Sequence, residues 1–124
     1  MGRRAGLLMP LIEEIRADGL AISVINYGEV TEGVLFSKQR ALNLQLWHDF
    51  VEPLDIIGIN ARTAEIWAEL RGLLRSQGLI TPDNDLLIAS TALQFDLTVV
   101  TFNRRHFDRV EGLSMLIPEL AFEA

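Results

Sequence analysis

The chain has no cysteine, which removes disulfides and thiolate metal sites and fits a reducing, cytoplasmic setting. Lysine is nearly missing: of 11 basic residues only Lys38 is lysine and the rest are arginine. Arginine favours forked contacts to phosphate and carboxylate alike. Basic charge is also outweighed, with 17 acidic residues and a net charge of −6. That argues against a general polyanion binder, which is usually basic. No apolar run reaches the length that crosses a bilayer. Pro10, Glu13 and Glu14 interrupt the stretch after Arg3 and Arg4, so a secretory signal is not expected. No glycine-rich phosphate loop occurs, which speaks against a P-loop or dinucleotide site. A phospho-receiver domain needs a lysine at the end of a late strand, and Lys38 follows a helix instead.

What remains is an ordinary globular composition, 49% hydrophobic and 23% charged. The length suits one domain over residues 1–124, large enough to bury roughly two-thirds of its unfolded surface. Apolar spacing predicts a first helix over Leu7–Ala17, stopped at Asp18-Gly19. Ala21–Ile25 reads as a short buried strand, with Asn26 capping a helix over Tyr27–Phe36. Gln39–Phe50 continues as a helix until Pro53, and Leu54–Ile59 is a second strand. Asn60 is placed to cap a long helix, Ala61–Gln77, ended by Gly78. Pro82 suits the first position of the next helix, Asp83–Phe95. Leu97–Thr101 reads as a third strand and Ser114–Ile117 as a fourth. Strands alternating with helices imply an α/β fold, a parallel sheet with helices on both faces.

In such sheets ligand sites lie at the carboxyl ends of strands and at nearby helix starts. Acids gathered there attract a hard divalent cation such as Mg²⁺ or Mn²⁺, and a cation so held activates water for phosphodiester cleavage. Glu29 lies one helical turn past the first strand, and Glu32 shares roughly its face. The plainer reading of both is a solvated helix carboxylate. Asp83 is an N-cap or first-turn acid. Asp85 borders the apolar run Leu86-Leu87-Ile88-Ala89; its plainer reading is a first-turn acid favoured by the helix dipole. Thr101 and Asn103 leave the third strand on one side of an extended chain, and both offer oxygen; a simple turn would also use Asn. Arg104, Arg105, His106 and Arg109 form a basic cluster suited to a phosphate backbone, or a solvated charged face. His106 adjoins Phe107, which is expected to pack inward, so a structural part for this histidine is favoured over acid–base work. Trp47 and Trp67 fall on apolar helix faces and are expected in the core or an oligomer contact.

Three segments carry a resemblance. They are Ala21-Ile22-Ser23-Val24-Ile25-Asn26-Tyr27-Gly28-Glu29, Asn84-Asp85-Leu86-Leu87-Ile88-Ala89-Ser90-Thr91-Ala92-Leu93, and Thr98-Val99-Val100-Thr101-Phe102-Asn103-Arg104-Arg105-His106-Phe107. Their order and separation resemble the PIN-domain family, specifically its VapC-like toxin ribonucleases of toxin–antitoxin pairs. The resemblance implies a three-layer α/β/α sandwich with a mainly parallel sheet. It also implies a Mg²⁺- or Mn²⁺-dependent endoribonuclease that acts on RNA, is inhibited by a cognate antitoxin protein and forms a homodimer. On the same ground Glu29, Asp85 and Asn103 correspond to metal-holding positions, with Thr101 supplying a nearby hydroxyl; Arg104 and Arg105 would orient RNA. An acid-lined rim also invites an arginine from the partner, and Leu8–Ile15 or Leu42–Phe50 could receive a partner helix.

The family opens with a short apolar strand ending in Asp, then Thr or Ser. Here no acid precedes Glu13, so the central strand of the sheet and its Asp are expected to be missing. Its neighbours would then have to close up, borrow a strand or leave backbone groups unpaired. The expectation is that the chain begins downstream of its true start or is a degenerate copy. The alternative to the nuclease is thus a non-catalytic PIN-like module that binds an antitoxin-type partner or RNA without cutting.

Overall fold

The computed structural model describes residues 19–101 and 104–116; the helix expected over residues 7–17 lies outside them. The elements run β1 (Ala21–Ser23), α1 (Val24–Leu35), α2 (Arg40–Val51), β2 (Asp55–Ile57), α3 (Ala61–Ser76), α4 (Asp83–Gln94), β3 (Thr98–Val100), α5 (Arg104–Phe107) and β4 (Ser114–Leu116). The fold is α/β, of the three-layer sandwich class, and every strand pairing among the described residues is parallel. Parallel strands cannot be joined by tight hairpins. The α1–α2 pair makes one crossover and α5 the other.

The first strand is shorter than its apolar run suggests, because Val24 and Ile25 belong to α1. The cap moves with the boundary. Ser23, extended at φ −71° and ψ 148°, accepts from the Asn26 N–H at 3.0 Å, so Ser23 is the N-cap and Asn26 lies inside the helix. The other boundaries fall within two residues of expectation. Asn60 caps α3 through a reciprocal box with Thr63. Gly78 ends α3 with φ +74°, a backbone conformation open to glycine. Its N–H donates to Arg75 O at 3.0 Å and the Leu79 N–H to Leu74 O at 2.9 Å, the paired closure of a Schellman motif. Pro82 stands just before α4 as its N-cap and has no side-chain bond to give.

The four strands form two separate ribbons among the described residues, β1 with β2 and β3 with β4. β1 and β3 are not paired with each other. An apolar cleft of about 780 Å³ lies where the ribbons face, with Ile22, Leu54, Ile88, Leu97, Val99 and Met115 among its walls.

The core belongs to the second half of the chain. Leu74 of α3, Leu86, Ala89 and Ala92 of α4, Val99, Phe107 and Val110 form one buried cluster. Leu86 is 1% exposed and Ala89 fully buried. Small residues at 89 and 92 let α4 lie close against its neighbours. Ser90 and Thr91, also buried, return their hydroxyls to Leu86 O and Leu87 O at 2.6 and 2.9 Å, which satisfies polar atoms in an apolar setting. Trp67 packs against this cluster, and the Arg71 guanidinium lies 5.4 Å from its ring centroid. The first half is held differently. Trp47 of α2 is buried, stacks on Phe50, tilts against Tyr27, and donates from its indole N–H to Thr31 Oγ1 at 2.9 Å.

Candidate metal and RNA site

Glu29 sits in the second turn of α1, beyond the carboxyl end of β1, and is exposed. Asp85 sits in the first turn of α4, its side chain 18% exposed. These segments are far apart in sequence, but α1 lies against α4 so that Asn84 Nδ2 approaches Glu29 Oε2 at 3.4 Å. The separation is at the long limit of a hydrogen bond. Its value is positional: the glutamate stands beside the turn that carries Asp85. Asn84 was not singled out in the sequence, where it reads as one more polar residue at a helix start. Nothing local signals a contact 55 residues away.

The α4 start is acidic, with Asp83 and Asp85 in its first turn, where exposed backbone N–H groups favour negative charge. Asp83 turns to Arg71 at 3.2 Å, both side chains well exposed. Asp85 Oδ2 instead lies 2.7 Å from His106 Nδ1. Phe107 is buried as anticipated, 4% exposed, but His106 is exposed on the rim and bound to the aspartate. The basic cluster was legible; its aim at Asp85 was not, because α5 is a four-residue turn whose direction no sequence periodicity fixes.

Thr101 directly follows β3 and is half-buried, and its N–H donates to Leu116 O at 3.1 Å, extending the β3–β4 ladder by one bond. Asn103 lies outside the described residues. Arg104 and Arg105 are exposed on α5, and Arg104 pairs with Asp108 at 3.0 Å. Glu32 is exposed on α1.

Carboxylates are the hard donors that Mg²⁺ and Mn²⁺ prefer, so Glu29 and Asp85 fit such an ion in kind. They do not make a full set: no group of three or more His, Cys, Asp or Glu side chains suited to a metal occurs among the described residues. No helix among those residues is long and apolar enough to cross a membrane.

A family model described as the PIN domain matches residues 4–113. Ribonuclease VapC2 of Rickettsia felis is 39% identical over 94 residues, covering 76% of this chain and 70% of its own. The tRNA(fMet)-specific endonuclease VapC of Shigella flexneri is 32% identical over 94 residues, covering 76% and 71%. Among solved structures, VapBC2 from Rickettsia felis bound to a DNA fragment from their promoter superimposes with a TM-score of 0.76 at 37% identity, over 82% of this chain and 76% of that one.

Proposed function

The chain belongs to the PIN-domain family, in its VapC branch, and from that premise we propose that it is a Mg²⁺- or Mn²⁺-dependent endoribonuclease, the toxin of a type II toxin–antitoxin pair. The observation that carries this reading is the approach of Asn84 to Glu29, which brings the α1 glutamate to the turn bearing Asp85. Relatives named as ribonucleases, and a solved relative that is a VapBC assembly, support the substrate class and the antitoxin partner.

In this reading Glu29, Asp85 and Asn103 hold the cation, and Thr101 supports it. A bound cation supplies an acidified water and offsets charge that builds on the phosphate. The remaining work falls to the chain. His106 fixes the orientation of the Asp85 carboxylate through Oδ2, so the acid need not be ordered at each encounter. Arg104 and Arg105 hold the RNA backbone. The domain spans residues 1–124, works in the cytoplasm and pairs as a homodimer. The partner helix has an available face on α2, where Leu42 and Leu46, one turn apart, are 55% and 54% exposed.

One observation favours the non-catalytic module instead: Asp85 is already engaged by His106, and only two of the proposed ligands are acids. A direct assay separates the readings. Cleavage of a test RNA in Mn²⁺ should be abolished in Asp85→Asn while far-ultraviolet circular dichroism and the urea midpoint stay near those of the parent. Calorimetry should show Mn²⁺ binding to the parent and its loss in the variant. If the variant cuts as fast as the parent, the assignment of Asp85 is wrong. If the parent binds RNA but never cuts it, the module reading stands.

A further inference from the structure

We propose that the pocket walled by Thr81, Arg105, His106 and Arg109 is a phosphate subsite, which seats an RNA backbone phosphate next to the one at the Glu29–Asp85 rim. The proposal rests on the ribonuclease reading and adds to it a place where the strand is held before any bond is cut.

The pocket has a volume of about 620 Å³, within the roughly 300–1,000 Å³ of small-ligand sites. Every charged side chain on its wall is basic or can become so: Arg104, Arg105, His106 and Arg109. In a chain of net charge −6 that local excess is the reverse of the bulk. Guanidinium groups crowded round one space repel one another unless an anion or solvent offsets them.

The cations differ in how far they are already used. Arg104 is committed to Asp108 at 3.0 Å. Arg109 donates from Nη1 to Ile80 O at 2.9 Å, which ties the guanidinium in place, and among the described residues it has no salt bridge. Arg105 has no salt bridge among the described residues, though it lines the pocket. A planar guanidinium matches two phosphate oxygens at once, and the Thr81 hydroxyl can add a further donor.

His106 links the pocket to the acid rim. Its ring lines the pocket while its Nδ1 lies 2.7 Å from Asp85 Oδ2. A nucleic-acid strand whose scissile phosphate lies at Asp85 therefore carries a neighbouring phosphate toward the arginines. Ile80, 87% exposed, and Pro82 give the same pocket an apolar side, against which a sugar or base can rest. An acidic peptide would also satisfy the arginines; RNA is the favoured occupant because its phosphates repeat along one strand, so that one can lie at the rim while the next meets Arg105 and Arg109.

The test is fluorescence anisotropy of a labelled single-stranded RNA in excess EDTA, which measures binding without cutting. Arg105→Ala is the primary variant, since among the described residues that side chain makes no ion pair whose loss would disturb the fold; Arg109→Ala is the second. Arg62→Ala, which removes an exposed arginine outside the pocket that pairs with Glu65 at 3.6 Å, is the control. Each pocket variant should lower affinity several-fold and reduce the slope of log K against log salt by about 0.7 per lost contact, with the control unchanged. Unchanged affinity and slope in both pocket variants would overturn the subsite, as would no RNA binding by the parent. So would displacement of the RNA by polyglutamate at charge-equivalent concentrations. The nuclease reading is judged separately: Asp85→Asn that still cleaves sinks that reading, whereas Arg105→Ala and Arg109→Ala that both bind like the parent sink only this one.

Discussion

Asn60 accepts the Thr63 N–H at 3.1 Å, and the Thr63 hydroxyl accepts the Asn60 N–H at 3.2 Å. Two donors that every helix start leaves open are thereby satisfied. The same hydroxyl donates to Gln94 Oε1, and Gln94 Nε2 returns a bond to Asn60 Oδ1 at 3.0 Å, so the cap also pins the start of α3 to the end of α4. Thr63 is fully buried. Asn60→Ala should therefore cost at least the upper part of the usual range for a cap, about 1–2 kcal/mol, read as a lower urea midpoint with an unchanged m-value. The cap was legible, because Asn stands directly before the helix. The bond to Gln94 was not, since no local rule joins residues 31 apart. Ser23 shows the opposite case. Val24 and Ile25 are β-branched and favour strands, so the sequence points to Asn26; the observed helix starts on those two residues, and the serine just before them accepts the free N–H.

At the level of elements, α4 is the axis of the fold. It is buried at Leu86, Ala89, Ser90, Thr91 and Ala92, while its first turn carries Asp85 to the rim. Packing and chemistry thus share one helix, and a change to its buried face should reach the site. Leu86→Ala should destabilise the domain by about 2–5 kcal/mol, seen in denaturant unfolding, and should weaken Mn²⁺ binding more than Asp83→Asn does, since Asp83 turns away to Arg71. The apolar run after Asp85 made the burial of α4 legible, and strand-end positions made Glu29 and Asp85 candidates. The meeting of His106 with Asp85 was hidden, because a turn as short as α5 has no hydrophobic period to set its heading.

Over the whole molecule, the sequence called for a parallel α/β fold with a gap at its centre, and among the described residues the strands pair only in parallel. How the neighbours would answer the gap was not legible: they could have closed up. Among the described residues they form two ribbons of three-residue strands that do not pair with each other, facing the apolar cleft. Three-residue ladders contribute few bonds, and isolated two-stranded pairs are marginal alone.

That division reverses the usual order of opening in a sandwich, where the middle of a sheet is the last part to yield to solvent. Deuterium uptake followed by mass spectrometry should find the slowest amides in α3 and α4, around Leu74 and Leu86, with β1 and β2 labelled orders of magnitude sooner. Uniform protection across helices and ribbons would mean that the halves open as one unit. Staggered protection would mean that the helix pair can outlast the sheet it covers, leaving Asp85 on a steady support while the turn that brings Glu29 beside it comes and goes.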